Sequence, residues 1–75
     1  MKFVVKVLNG SCPPFEVKMD NKDTMLQVKN RIQKSQYIPV ARQIIVVDGV
    51  VILRNDLTVK QCGIVGNSRI QLDIS

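Results

Sequence analysis

Residues 2–19 read KFVVKVLNGSCPPFEVKM, and this stretch predicts how the fold begins. In residues 2–8 and again in residues 15–19, large apolar side chains recur at every second position, which is the period of a half-buried β-strand. Asn9-Gly10 follows the first run, and this pair is typical of a tight turn between antiparallel strands. The stretch therefore predicts a β-hairpin.

A helix is predicted directly after the hairpin. Thr24 and Gln27 have the spacing of a capping box, in which the side chain of each residue accepts a hydrogen bond from the backbone N–H of the other. Pro39 excludes continuation of the helix beyond it, because proline lacks the N–H that a helix interior requires. Apolar residues recur at the spacing of one helical face, at Met25, Val28 and Ile32.

Three further strands are predicted after the helix, at residues 43–47, 50–52 and 69–74. Asp48-Gly49 supplies a two-residue turn between the first two of them. The long connection between the last two is irregular, with core anchors expected at Leu57, Val59 and Ile64. The order β-β-α-β-β-β predicts an α+β class, a mixed sheet packed on one helix, in a single domain covering residues 1–75.

Strand alternation also predicts which side chains face away from the helix. The residues expected to face the helix are Phe3, Val5, Ile45, Val47, Ile70 and Leu72, and those expected to face outward are Val4, Lys6, Ile44, Val46, Gln71 and Asp73. Four aliphatic side chains, with Leu8 at their rim, would then form a solvent-facing apolar patch: Val4, Ile44, Val46 and Val50. The alternative is that these are single exposed valines and isoleucines of the kind that favour strands and need no function.

The composition excludes most kinds of catalytic site. The chain has no histidine, no paired carboxylates at a recognisable catalytic spacing and no glycine pattern of a phosphate-binding loop, so we expect no enzyme and no cofactor. Cys12 and Cys62 have no Cys or His neighbour at metal-ligand spacing, so we expect no metal site and two free thiols in a reducing compartment; the alternatives are a disulfide, or a redox or catalytic thiol. We therefore expect an intracellular protein, cytoplasmic or nuclear, with no membrane segment and no signal peptide.

The net charge of +5 leaves nucleic-acid binding as an alternative function. The cations that would carry it are Lys2, Lys6, Lys29, Arg31 and Lys34. Two of the three aromatic residues, Phe3 and Phe15, are predicted to lie in the core, which leaves no platform for stacking bases. The sequence favours a mildly basic, solvated face, with Lys29, Arg31 and Lys34 on the exposed flank of the helix.

Taken together, these segments resemble a ubiquitin-like domain along the whole chain. The resemblance rests on MKFVVK with Leu8 and Gly10, on Phe15-Glu16-Val17, on Asp23-Thr24 before the helix and on Ile38-Pro39 after it. It continues through residues 43–49, the VKQCGI stretch at 59–64 and the alternating last strand. It implies a β-grasp fold and a non-enzymatic role, either as a modifier conjugated through a C-terminal Gly-Gly or as a fixed docking module of a larger protein.

The resemblance also implies a binding surface and a class of partner. Its apolar patch, carried over by position, comprises Leu8, Val46, Gln71 and Asp73, of which Asp73 departs from the usual aliphatic residue and disfavours purely apolar docking. The expected partners are proteins of the ubiquitin-receptor or proteasome type, with Lys6, Arg42 and Arg69 steering acidic ones. Because the chain ends at Ser75 without a Gly-Gly, we expect a fixed module, monomeric in isolation; the alternative is a modifier whose tail the segment lacks.

Overall fold

The computed structural model describes residues 1–10 and 12–75, and it contains a mixed five-stranded sheet and one long helix. The chain runs through β1 (Lys2–Val7), β2 (Phe15–Lys18), α1 (Met25–Gln36), a short 3-10 helix (Val40–Arg42), β3 (Gln43–Val47), β4 (Val50–Ile52) and β5 (Ile70–Ile74). The strands are ordered β2-β1-β5-β3-β4, and β5 pairs parallel to β1 and antiparallel to β3. The predicted element order and the α+β class are confirmed.

The turn between β3 and β4 shows why the sequence forms a hairpin at this point. Asp48 and Gly49 both have positive φ, at 49° and 83°, which is the conformation that a two-residue turn between twisted strands requires. β1 and β2 pair antiparallel as predicted, but β1 ends at Val7 and β2 begins at Phe15, so the expected two-residue turn at Asn9-Gly10 is wrong; Gly10 has a positive φ, of 69°. Glycine carries no Cβ, so it adopts this conformation without strain.

Helix α1 begins and ends with identifiable caps. The Thr24 side chain accepts a hydrogen bond from the Gln27 N–H, and the Gln27 side chain accepts one from the Thr24 N–H, so the predicted capping box is present. The helix continues through Gln36 and closes at Tyr37, which adopts a left-handed conformation with φ of 60°. Its N–H donates to the Gln33 carbonyl, which ends the helix two residues before Pro39.

One face of the sheet packs against α1 to form the core. Buried residues of the helix, Met25, Val28 and Ile32, belong to the same cluster as the predicted inward residues of the strands. Val59 and Ile64 join this cluster as predicted, whereas Leu57 is only half-buried. The Gln43 carboxamide donates to the carbonyls of Lys29 (3.0 Å) and Ile38 (2.9 Å), which ties β3 to the middle of the helix and to the segment that follows it.

Candidate protein-interaction surface

The face of the sheet that points away from α1 is called here the outer face. The six residues predicted to face the helix are all buried, and each has at most 6% of its surface exposed to solvent: Phe3, Val5, Ile45, Val47, Ile70 and Leu72. Since side chains alternate along a strand, the residues between them lie on the outer face. This places Val4, Lys6, Ile44, Val46, Gln71 and Asp73 there, as the alternation predicts.

The register aligns four of the outer-face residues across the sheet. Lys6 of β1 lies beside Gln71 of β5, Gln71 lies opposite Val46 of β3, and Val46 lies opposite Val51 of β4. Residues directly opposite in neighbouring strands share a face and have Cβ atoms about 5 Å apart. In this row the polar side chains of β1 and β5 lie beside the aliphatic side chains of β3 and β4.

A second row lies at the end of the same strands. Asp73 lies opposite Ile44, and the N–H of Leu8 donates to the carbonyl of Leu72 at 2.9 Å, which places Leu8 next to Asp73. Arg42 and Ser75 close this end of the β3–β5 pair, where the Arg42 Nε donates to the Ser75 carbonyl at 2.7 Å. The sheet thus brings the predicted patch residues Leu8, Val46, Gln71 and Asp73 together on one face.

Val46 is less accessible than the sequence predicts. It lies on the outer face but is only 6% exposed, and Ile44 is half-buried. The reason is position in the sheet: β3 is an interior strand, so Val46 has Gln71 on one side and Val51 on the other. The expectation that Val46 is a solvent-facing valine is wrong, and it forms the floor of the surface instead.

The prediction that Val50 lies on the outer face is wrong. The register pairs Val50 with Val47, whose side chain lies in the core, whereas Val51 pairs with Val46 on the outer face. Val50 is therefore on the helix side of an edge strand, where it remains 62% exposed. The signal was present in the sequence, because a two-residue turn at Asp48-Gly49 places residues 47 and 50 opposite each other and on one face.

The exposed apolar side chains of this surface lie around its rim. Val4 is 56% exposed, Leu8 50% and Val51 51%, and Leu53, directly after β4, is 79% exposed. The alternation pattern of the sequence does not predict Val51 and Leu53 among these exposed side chains. Exposed apolar side chains on one face of a sheet, with polar residues between them, are a common feature of protein interfaces.

Comparison with known proteins agrees with this architecture. The ubiquitin family model matches residues 3–75. The chain belongs to the ubiquitin family. The mixed sheet with one helix is accordingly the β-grasp fold that the sequence resemblance predicts.

Two proteins of Arabidopsis thaliana are similar to this ubiquitin-family chain. An uncharacterised protein with an NMR solution structure is 57% identical with a TM-score of 0.84, and the alignment covers 100% of this chain and 87% of that one. The ubiquitin domain-containing protein 7SL RNA2 is 49% identical over 35 residues, which are 47% of this chain and 13% of the relative. The chain therefore matches only a small part of that longer relative.

The cations proposed for nucleic-acid binding do not form one exposed surface in this ubiquitin-family domain. Lys29 is 6% exposed, its Nζ donates to the Asn55 Oδ1 at 2.7 Å, and burial lowers its pKa. Arg31 donates to both carboxylate oxygens of Asp23 and to the Lys18 carbonyl. The expectation that Lys29 and Arg31 lie on a solvated helix flank is wrong for Lys29 and incomplete for Arg31, because both side chains bind other segments.

The remaining chemistry-bearing groups of the described chain are few. Cys62 carries a free, half-buried thiol, and burial raises its pKa, so less of it is thiolate at neutral pH. Across residues 1–10 and 12–75, no group of three His, Cys, Asp or Glu side chains could hold a metal ion. Within the same residues, no helix has the length and apolar character needed to cross a membrane.

Proposed function

We propose that this ubiquitin-family domain is a non-catalytic protein-interaction module, a fixed domain of a larger protein that docks helical segments through its outer face. The observation that carries the proposal is the exposed apolar rim on the sheet, formed by Val4, Leu8, Val51 and Leu53 around the floor residue Val46. Burying such a rim on a partner gains roughly 25 cal/mol for each Å² removed from water. The proposal of a fixed module is supported by the ubiquitin domain-containing relative, because the matched region makes up only 13% of that longer protein.

The partners that we propose are of the ubiquitin-receptor or proteasome type. Such a surface is small, so the affinity we expect is modest, in the micromolar to millimolar range. Lys6 and Arg69 are exposed on this side of the sheet and would accelerate the encounter with acidic partners. Raised salt should therefore weaken binding to an acidic peptide without abolishing it.

The test is an amide-shift NMR titration of the labelled domain with a ubiquitin-interacting helical peptide, at low and at raised salt. We expect the largest shifts at Leu8, Val46, Val51 and Gln71, because these residues lie together on the outer face. Shifts confined to α1, or no shifts at millimolar peptide, would overturn the proposal.

A matched pair of variants separates a specific contact from a general loss of apolar surface. Leu8 is 50% exposed at the rim, and Leu26 is 43% exposed on the helix, on the other side of the molecule. Leu8→Ala should weaken peptide binding about fivefold or more, whereas Leu26→Ala should leave it unchanged. Equal losses in the two variants would count against docking at the outer face.

A further inference from the structure

Asp73 places a carboxylate within the apolar part of the outer face. It lies on β5, the central strand of the sheet, opposite Ile44 of β3 and next to Leu8 beyond β1. The residue is half-buried, so its side chain is part of the surface that a docked partner would cover. A central strand is also the most rigid support that this fold offers for a recognition group.

In the part of the chain that the structure describes, four of the six acidic side chains have a partner, whereas Asp73 and Glu16 do not. Asp20 pairs with the terminal ammonium of Met1, Asp23 with Arg31 and Asp56 with Arg54, while Asp48 accepts a hydrogen bond from the Arg69 N–H. Among the residues that the structure describes, no ion pair within 4.0 Å and no hydrogen bond joins the Asp73 side chain to another residue.

The two cations closest in the register do not neutralise Asp73. Lys6 is aligned with Gln71, one row away, and Arg42 directs its Nε to the Ser75 carbonyl at 2.7 Å. The Asp73 carboxylate is therefore hydrated in the unbound domain. A partner that covered it with apolar groups alone would remove that water and leave a desolvated charge, at a cost that offsets much of the apolar gain.

We propose that Asp73 is the specificity-determining residue of the outer face, and that the docked segment presents an arginine to it between the apolar contacts at Leu8 and Ile44. This inference rests on the proposed function, since it names the chemistry of the partner at the same surface. Arginine fits better than lysine because its planar guanidinium binds a carboxylate through two parallel hydrogen bonds and is more weakly hydrated. Gln71, two residues earlier on the same face, adds an amide oxygen within reach of the remaining guanidinium donors.

The charge of the whole domain makes this preference distinctive. With a net charge of +5, the domain repels a cationic peptide at long range. An arginine added to the peptide should therefore weaken binding everywhere except where it meets an uncompensated carboxylate. A gain in affinity from an added cation would have to be local.

The experiment uses the ubiquitin-interacting helical peptide and a series in which each contact position in turn carries arginine, with glutamine at the same positions as the uncharged control. Affinities are measured by NMR titration against the wild-type domain, Asp73→Asn, Asp73→Leu and Glu16→Gln. Glu16 lies on the outer face of the edge strand β2, opposite Val4, so Glu16→Gln is the matched control for removing one negative charge from this face.

We expect one arginine peptide to bind the wild-type domain about tenfold more tightly than its glutamine counterpart. Asp73→Asn should abolish that preference, Asp73→Leu should reverse it so that the glutamine peptide binds more tightly, and Glu16→Gln should preserve it. If peptides bind at the outer face but no arginine peptide is preferred, the Asp73 inference is overturned and the proposed function stands. If no peptide shifts the outer face, the proposed function is overturned and the inference falls with it.

Discussion

At the scale of single residues, Tyr37 is held in a conformation that suits glycine. It ends α1 with φ of 60° and ψ of 32° while 88% of the residue is exposed to solvent. A side chain in the left-handed region costs on the order of 1 kcal/mol because its Cβ approaches the following carbonyl. We expect Tyr37→Gly to raise the free energy of unfolding by about 0.5–1 kcal/mol, measured by urea denaturation with an unchanged slope.

Tyr37→Ala is the control, since it removes the exposed ring and keeps the Cβ. It should give none of the gain, because the left-handed backbone conformation remains as costly as before. If alanine stabilised the domain as much as glycine, the exposed ring rather than the backbone would be the source of the strain.

At the scale of elements, an ion pair ties the start of α1 to its second turn. The Asp23 carboxylate accepts hydrogen bonds from the Arg31 guanidinium and from the Asp20 N–H, the latter at 2.8 Å. These two donors, Arg31 first, hold the pKa of Asp23 below its ordinary value of 3.8. A carboxylate whose folded pKa is lowered adds stability above its unfolded pKa, and that stability is lost as pH falls through the folded pKa.

We therefore expect Asp23→Asn to reduce stability by about 1–2 kcal/mol at neutral pH and to flatten the fall in melting temperature below about pH 4. Thermal denaturation followed by circular dichroism from pH 2 to pH 7 measures both effects. Asp56→Asn is the control at neutral pH, because the Arg54–Asp56 pair has 67% of each side chain exposed and should contribute little. Comparable losses in both variants at neutral pH would contradict the role given to Asp23.

The same helix shows what the sequence predicts and where it fails. Thr24 and Gln27 predict the start of α1 because capping depends on residues three positions apart. Burial of Lys29 depends on Asn55, which is 26 positions away in the chain, and on the Leu26 N–H that donates to the Asn55 carbonyl. Helical periodicity puts Lys29 on the buried face, four residues after Met25 and three before Ile32, but the charge of Lys29 favours solvent and its partner Asn55 is not visible in that pattern.

At the scale of the whole molecule, the sequence predicts which side chains lie on the outer face, but it does not predict how exposed each of them is. Alternation assigns Val4, Lys6 and Gln71 to the outer face because side-chain direction repeats every two residues. It does not give the exposure of Val46, which depends on neighbours from β5 and β4 that pair with β3. The face on which a side chain lies thus depends on its own strand, whereas its exposure to solvent depends on the neighbouring strands of the sheet.

The distribution of cations over the whole molecule yields the last prediction, a weak interaction with nucleic acid. Lys2 and Lys6 lie on β1 and Lys34 lies in the last turn of α1, whereas Lys29 and Arg31 are bound to other segments. Because few cations can contact one backbone together, we expect a labelled 20-nucleotide single-stranded RNA to bind with a Kd weaker than about 10⁻⁴ M at physiological salt. Fluorescence anisotropy at two salt concentrations should give a slope of about two released counterions or fewer, unchanged in Arg31→Gln. Micromolar affinity with a slope of six or more would instead make nucleic acid the partner of this domain, since only a continuous basic surface releases that many counterions.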